Sequence, residues 1–161
     1  MILRPTRAFA FAHSAHFIAL GFGTGLVPVA PGTAGTLLAF PVFVLLDAFL
    51  PPLSLFGAIV FFFGIGIWAC GRTGHDLGIG DHGAMNWDEM VAMLLVLLLA
   101  PPDWAWWMFA FLAFRFFDVV KPPPIRHLER TVKGGLGVMF DDIVAAFYTL
   151  LLIALVKRIL G

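Results

Sequence analysis

Charge is scarce in this sequence. Lys plus Arg number 10 and Asp plus Glu number 10, together 12% of 161 residues, and the formal charges cancel. A soluble domain carries roughly 25% charged residues. The shortfall leaves too little polar surface to keep such a chain monomeric in water, so a lipid bilayer is the expected solvent. Zero net charge also gives no general attraction to nucleic acid. Cysteine is nearly absent: Cys70 stands alone, which excludes an internal disulfide framework. Repeats and low-complexity linkers are absent too, and the length suits one domain, 1–161. Arg4 and Arg7 precede no uninterrupted apolar core, because His13, Ser14 and His16 break it before Gly21, so no cleaved signal peptide is expected.

What is present is apolar, 61% of the residues, with a mean hydropathy of +0.97. The apolar runs are Thr36–Leu50, Leu53–Cys70, Met90–Ala100, Trp104–Phe117 and Ile143–Val156. Their composition and length favour helices over strands. A spanning helix needs about 20 apolar residues. Leu53–Cys70 meets that; Met90–Ala100 must extend back through Asp88 and Glu89 or dip only part of the way. The separators are Pro51-Pro52, Gly71–Trp87, Pro101-Pro102-Asp103 and Asp118–Gly137. Proline pairs stop helices by removing donors and crowding the preceding turn. Trp104, Trp106 and Trp107 suit the headgroup level. The expected fold is an all-α, compact membrane bundle of short, partly broken helices.

Arg4, Arg7, Arg72, Lys121, Arg126, Arg130 and Lys133 lie in the N-terminal segment and the two longer loops, whereas the proline turns carry no Lys or Arg. The positive-inside tendency places those loops in the cytoplasm. Lys157 and Arg158 run against this, since an odd number of crossings leaves them outside. On this topology Asp88 and Glu89 open one helix, Arg115 and Asp118 close another, and Asp141 and Asp142 open the last. All six then lie at similar depth. Ionisable residues at the ends of apolar helices are costly and point to function. Taken singly, each has a bland reading as a helix cap or a snorkelling charge. Taken together on three helices, they are expected to converge, with Asp88, Asp118 and Asp142 near enough to share an ion.

Carboxylates with Arg115 and Lys121 suit a hard, oxygen-liganded cation, Mg²⁺ above all, together with a phosphate. Arg115 offers paired donors to a phosphate and Lys121 a point charge. The alternative is an Arg115–Asp118 ion pair that only holds the bundle together. The loop His75–Gly83 carries Asp81 and His82 between glycines, which suggests a tight turn. His82, a poor Mg²⁺ ligand, is read as a phosphate contact or proton-transfer group, against the bland alternative of a solvated loop histidine. His16, in an apolar surround, reads as a hydrogen-bonded structural residue. Gly32 and Thr33, in Pro-Gly-Thr-Ala-Gly-Thr (31–36), precede an apolar run and could cradle phosphate at a helix N-terminus, although membrane glycines more often serve helix packing. No Gly-Lys-Ser/Thr ending indicates ATP. Cys70 has Asp76 where a cysteine phosphatase places arginine, and no Asp-x-Asp start of the haloacid type occurs. Metal-assisted attack by water or an aspartate is left.

Four blocks carry a resemblance: Gly-Phe-Gly-Thr-Gly-Leu-Val-Pro-Val-Ala-Pro-Gly-Thr-Ala-Gly-Thr (21–36), Asp-His-Gly-Ala-Met-Asn-Trp-Asp-Glu (81–89), Phe-Arg-Phe-Phe-Asp-Val-Val-Lys-Pro-Pro-Pro-Ile (114–125) and Gly-Gly-Leu-Gly-Val-Met-Phe-Asp-Asp (134–142). In this order they resemble the signature blocks of the phosphatidylglycerophosphatase A family. The resemblance implies an all-helical, Mg²⁺-dependent enzyme of the bacterial inner membrane that converts phosphatidylglycerophosphate to phosphatidylglycerol at the cytoplasmic face. It implies catalytic and metal roles among Asp81, Asp88, Glu89, Asp118, Asp141 and Asp142, with Asp88, Glu89, Asp118 and Asp142 as the metal set, and phosphate contact by Arg115 and Lys121. Gly71, Gly80 and Asn86 depart from the family pattern, where Glu, His and an apolar residue are usual. The rival readings are a small ion-coupled transporter, which calls for midplane charges and internal symmetry, and another Mg²⁺-dependent phospholipid head-group enzyme. The CDP-alcohol phosphotransferase spacing is absent.

Overall fold

In a computed structural model, residues 5–123 and 125–160 are described; Arg4, Pro124 and the Arg130 side chain lie outside them. Among the described residues the chain is all helical: α1 (Arg7–Ala12), α2 (Ser14–Ala19), a 3₁₀ segment (Gly21–Leu26), α3 (Pro31–Asp47), α4 (Pro52–Leu77), α5 (Trp87–Leu99), α6 (Trp104–Val120), α7 (Ile125–Thr131) and α8 (Gly134–Leu160).

Local chemistry sets the boundaries. Pro52 occupies the first turn of α4, where a missing N–H costs nothing, and Gly78 ends that helix in the left-handed conformation at φ 69°. The Asp103 carboxylate accepts from the Ala105 N–H at 2.8 Å and starts α6. Lys121 closes α6 at φ 45° and ψ 64°, unusual for a residue with a side chain, and Pro122 follows.

Helix α3 begins at Pro31, ahead of the apolar run at Thr36, and α7 forms inside the segment Asp118–Gly137 read as a separator; two further boundaries bear on the site. Residues Gly71–Leu77, read as the start of a loop, continue α4, so His75 and Asp76 are helical. The Arg72 Nε–Asp76 Oδ2 pair at 2.8 Å, one turn apart, braces this extension. Likewise Gly134–Gly137, read as loop, forms the first turn of α8. Asp141 and Asp142 therefore stand about two turns inside that helix rather than opening it.

Helix α5 is the centre of the molecule. Met90, Val91, Ala92, Met93, Leu94, Val96 and Leu97 are all buried, and α5 packs against α3, α4, α6 and α8. An apolar helix buried on every side needs no amphipathic stripe. At 13 residues it is about 20 Å long, too short to span a bilayer alone. Helices α4 and α8, at 26 and 27 residues, are long and apolar enough to cross.

Those two long helices meet at Gly135. A Cβ there would lie 1.9 Å from the Ile67 carbonyl oxygen and 2.7 Å from the Gly71 amide nitrogen. Both neighbours are backbone, so no rotamer change relieves the clash. Gly71, in turn, faces Gly135 at this crossing. Gly135→Ala is expected to lower stability by about 3 kcal/mol, the upper range for overpacking, read as a fall in thermal midpoint in detergent. An unchanged midpoint would mean the helices do not approach this closely.

Candidate active site

Three helices deliver the site. Asp88 and Glu89 come from the first turn of α5, Arg115 and Asp118 from the last turns of α6, and Asp141 and Asp142 from α8. Asp88, Asp141 and Asp142 are 7%, 4% and 3% exposed. Asp88, Glu89 and Asp142 each turn one carboxylate oxygen to a point where all lie within 4.8 Å of one another. Asp88 Oδ1, Glu89 Oε2 and Asp142 Oδ2 are buried with no hydrogen-bond partner. Buried like charges with unsatisfied oxygens are costly unless a cation joins them. Their oxygen-only donor set, without Cys or His, suits a hard divalent ion.

The cations nearby are engaged. Arg115 Nη1 donates to Asp118 Oδ2 at 2.6 Å and lies 3.6 Å from Glu89 Oε1. Lys121 Nζ meets Asp141 Oδ2 at 2.7 Å. Asp118 thus stands beside the three-carboxylate group, held by Arg115, and is not one of its members. The ion pair weighed as the bland reading of Arg115 is present, yet its reach to Glu89 ties it to the carboxylate group as well.

The start of α3 closes one side. Gly32 is buried, and a Cβ on it would lie 2.1 Å from Glu89 Oε1 and 3.1 Å from Arg115 Nη1. Thr33 follows in the same first turn, half-buried. Thr36 Oγ1 donates to the Gly32 carbonyl at 2.9 Å and sits 3.5 Å from Arg115 Nη1. Gly32→Ala is expected to displace Glu89 and cut turnover about tenfold, as small misplacements of positioned groups do, with the helical content retained by circular dichroism. Turnover equal to wild type would remove the α3 terminus from the site.

Asp81 is exposed and lines a cavity of about 290 Å³ together with Asp141 and Lys133. His82 lies elsewhere, 6% exposed, in a cavity of about 130 Å³ beside Pro28 and Pro31. Its Nδ1 accepts from the Ala84 N–H at 3.1 Å, which leaves the ring hydrogen on Nε2, an atom with no partner. His82 is therefore a buried donor rather than a solvated loop residue, and with Nδ1 occupied it has no lone pair to act as a base.

Asn86, a departure from the family pattern, organises the site. It is fully buried; its Nδ2 donates to Thr24 Oγ1 at 2.9 Å and to the Pro31 carbonyl at 2.7 Å, and its amide donates to the Ala19 carbonyl at 2.9 Å. One residue thereby joins the end of α2, the 3₁₀ segment and the start of α3 to the first turn of α5. A polar side chain in an apolar position was the signal. His16 is structural, as expected: its Nδ1 lies 3.0 Å from Thr73 Oγ1, its Nε2 3.3 Å from Asp76, and it stacks on Phe9. Burial holds its imidazole below the ordinary value, against the pull of Asp76.

A family model described as phosphatidylglycerophosphatase A matches residues 17–157. The chain is 45% identical over 132 residues to phosphatidylglycerophosphatase A of Escherichia coli (strain K12), covering 81% of this chain and 76% of that protein. It is 38% identical over 156 residues to phosphatidylglycerophosphatase A of Haemophilus influenzae, covering 92% of each. It is 40% identical over 151 residues to a putative phosphatidylinositol-3-phosphatase of Bacteroides thetaiotaomicron, covering 89% and 94%. No solved structure matches. With the family model matching most of its length, this chain belongs to the phosphatidylglycerophosphatase A family.

Proposed function

We propose that this chain is a single-domain, multi-pass enzyme of the bacterial inner membrane. It hydrolyses the terminal phosphate monoester of phosphatidylglycerophosphate, releasing phosphate and phosphatidylglycerol, with Mg²⁺ as cofactor and the site facing the cytoplasm. The observation that carries the reading is the group of Asp88, Glu89 and Asp142, two buried carboxylates and one half-buried one, each turning an oxygen to within 4.8 Å of the others and each holding a buried oxygen without a partner, in a chain of this family.

A bilayer accounts for the outer surface. Phe49, Leu53 and Phe61 are 79%, 83% and 65% exposed. In the most apolar stretches of α4 and α8, only 28% and 22% of residues are buried, unlike the core helix of a soluble protein. Arg72, Lys121, Arg126 and Lys133 gather toward the carboxylate end, which favours a cytoplasmic site. Lys157 and Arg158 mark the other end of α8.

Asp88, Glu89 and Asp142 would hold the ion, with Asp118 beside them. When bound, Mg²⁺ supplies charge neutralisation for phosphoryl oxygens. Arg115, poised between Glu89 and Asp118, is placed to turn its paired donors to the same phosphate. The Gly32–Thr33 turn brings backbone N–H groups of a helix start to that side. Asp81, exposed, and Asp141, held by Lys121, are the carboxylates left for proton transfer. One takes a proton from a water whose oxygen bonds to phosphorus; the P–O bond to glycerol breaks, and the same carboxylic acid or bulk water returns a proton to the glycerol oxygen, leaving inorganic phosphate and phosphatidylglycerol. His82, in its separate cavity, offers only a donor, and no step is assigned to it.

Phosphate release from phosphatidylglycerophosphate by purified protein tests the reading. Exhaustive EDTA is expected to abolish release and Mg²⁺ to restore it. Full activity after chelation would reject the metal role; release only from phosphatidylinositol 3-phosphate would reject the substrate.

A further inference from the structure

His82 holds a hydrogen on Nε2 that no group among the described residues accepts. Its Nδ1 is spent on the Ala84 N–H at 3.1 Å, and Nε2 is buried without a partner. The buried histidine of α2 behaves differently: His16 engages Thr73 through Nδ1 and Asp76 through Nε2. A histidine kept only for packing would settle both nitrogens in this way, since an idle buried donor is costly. We infer that the cavity beside the loop 27–30 seats an acyl ester carbonyl of the lipid substrate, with His82 Nε2–H as its donor. The inference rests on the phosphatase reading above and adds a seat for the lipid backbone to it.

The wall selects the acceptor. Leu26, Val27, Pro28, Pro31 and Ala84 line the cavity, and among the described residues His82 is its one polar side chain. None of those residues brings a charge to it. A phosphate there would give up its hydration for a single neutral donor, which makes an anion a poor occupant. At about 130 Å³ the cavity exceeds one water's share of about 30 Å³ several times over. An ester carbonyl oxygen is neutral, accepts well and arrives attached to an acyl chain. That chain has apolar surface to follow, because Val27, Pro28 and Val29 are exposed on the same loop.

The seat and the carboxylates share the start of α3. Pro31 borders the cavity, and a Cβ on the next residue, Gly32, would lie 2.1 Å from Glu89 Oε1. Asn86, in the segment that runs from His82 to Asp88, donates to the Pro31 carbonyl at 2.7 Å and fixes this junction. With the terminal phosphate at the carboxylates, the headgroup glycerol and the phosphodiester are the length of substrate that passes the start of α3. The ester carbonyls come next along the lipid.

A dialkyl ether form of phosphatidylglycerophosphate keeps both phosphates and both chains but has no carbonyl. Wild-type protein is expected to show a KM about fivefold lower for the diacyl lipid than for the dialkyl one, the scale of one neutral hydrogen bond. His82→Asn keeps an oxygen for the Ala84 N–H, as short amide side chains do two residues ahead. It cannot carry a donor as far into the cavity, so the preference should vanish. His82→Gln, whose amide N–H reaches further, should restore part of it, which a merely structural histidine would not require. Gly83→Leu fills the cavity from a wall position where a Cβ meets nothing within 4 Å, and it should also remove the preference. Equal KM for the two lipids in wild-type protein would overturn the seat and leave the glycerol hydroxyls, which both lipids share, as the acceptor. A preference that survives in His82→Asn, or in Gly83→Leu where His82→Asn fails to fold, would overturn it as well. No phosphate release from either lipid by wild-type protein would sink the proposed reaction instead. The seat would then be decided by whether diacyl phosphatidylglycerol binds more tightly than its dialkyl form and loses that advantage in His82→Asn.

Discussion

Asp142→Asn is expected to cut turnover at least about a hundredfold while raising the thermal midpoint of metal-free protein by a few degrees. The two effects share one origin. Asp142 is 3% exposed, and its Oδ2 has no partner while Asp88 and Glu89 crowd the same point. Removing a buried carboxylate from such a group relieves repulsion, so the empty protein gains stability. The same change removes charge that balances Mg²⁺, so turnover falls on the scale of lost metal assistance, and extra Mg²⁺ should recover part of it. Function held against stability is the expected signature of a site that a cation completes. Turnover and thermal midpoint measured in one detergent, with and without Mg²⁺, decide the matter. A lower midpoint with normal turnover per folded molecule would make the carboxylate group a structural element.

Arg115→Lys is expected to lower turnover by about two orders of magnitude, with the protein still inserting and purifying normally. Arginine here reaches Asp118 at 2.6 Å, Glu89 at 3.6 Å and Thr36 at 3.5 Å, all through the single nitrogen Nη1. Lysine keeps the charge and can keep the Asp118 pair, so stability should change by about 1 kcal/mol or less, as for partly exposed ion pairs. What lysine loses is bidentate grip on a phosphate. Rapid steady-state assays on size-selected protein supply the turnover, and a melt supplies the stability. Normal turnover in this variant would leave Arg115 a bundle tie between α6 and α5.

The carboxylates were legible in the sequence because charge is so rare in it: Asp88, Glu89, Asp118, Asp141 and Asp142 interrupt or border apolar runs, and only a shared purpose accounts for all of them. The helix boundaries were less legible, for opposite reasons at two places. Gly134 to Gly137 reads as loop because glycine disfavours helices, yet Gly135 is there so that α8 can press on the backbone of α4. Gly71–Leu77 reads as loop because it is polar, yet its polarity is spent on the Arg72–Asp76 pair and on His16 contacts to Thr73 and Asp76. Local composition cannot reveal the approach of Gly135 to α4 or the contacts of His16, since those partners are distant in sequence. The hydrogen on His82 Nε2, the Asn86 junction and the cavity beside Lys133 depend on three-dimensional neighbours and were outside the reach of pattern reasoning.

The shortness of α5 bears on where in a membrane this chemistry takes place. From Asp88 to the Pro101 turn is about 20 Å of helix, and from Asp142 to Lys157 on α8 is about 22 Å. Both distances fall short of a hydrocarbon layer of about 30 Å. If the far ends rest at one interface, the carboxylates are sunk below the other by roughly a third of the layer. The leaflet must dimple around the protein, or the lipid head must descend into it. Bilayer thickness thereby becomes part of the catalytic apparatus: thin membranes lower the cost of that descent, and thick ones raise it by a fraction of a kcal/mol for each ångström of mismatch.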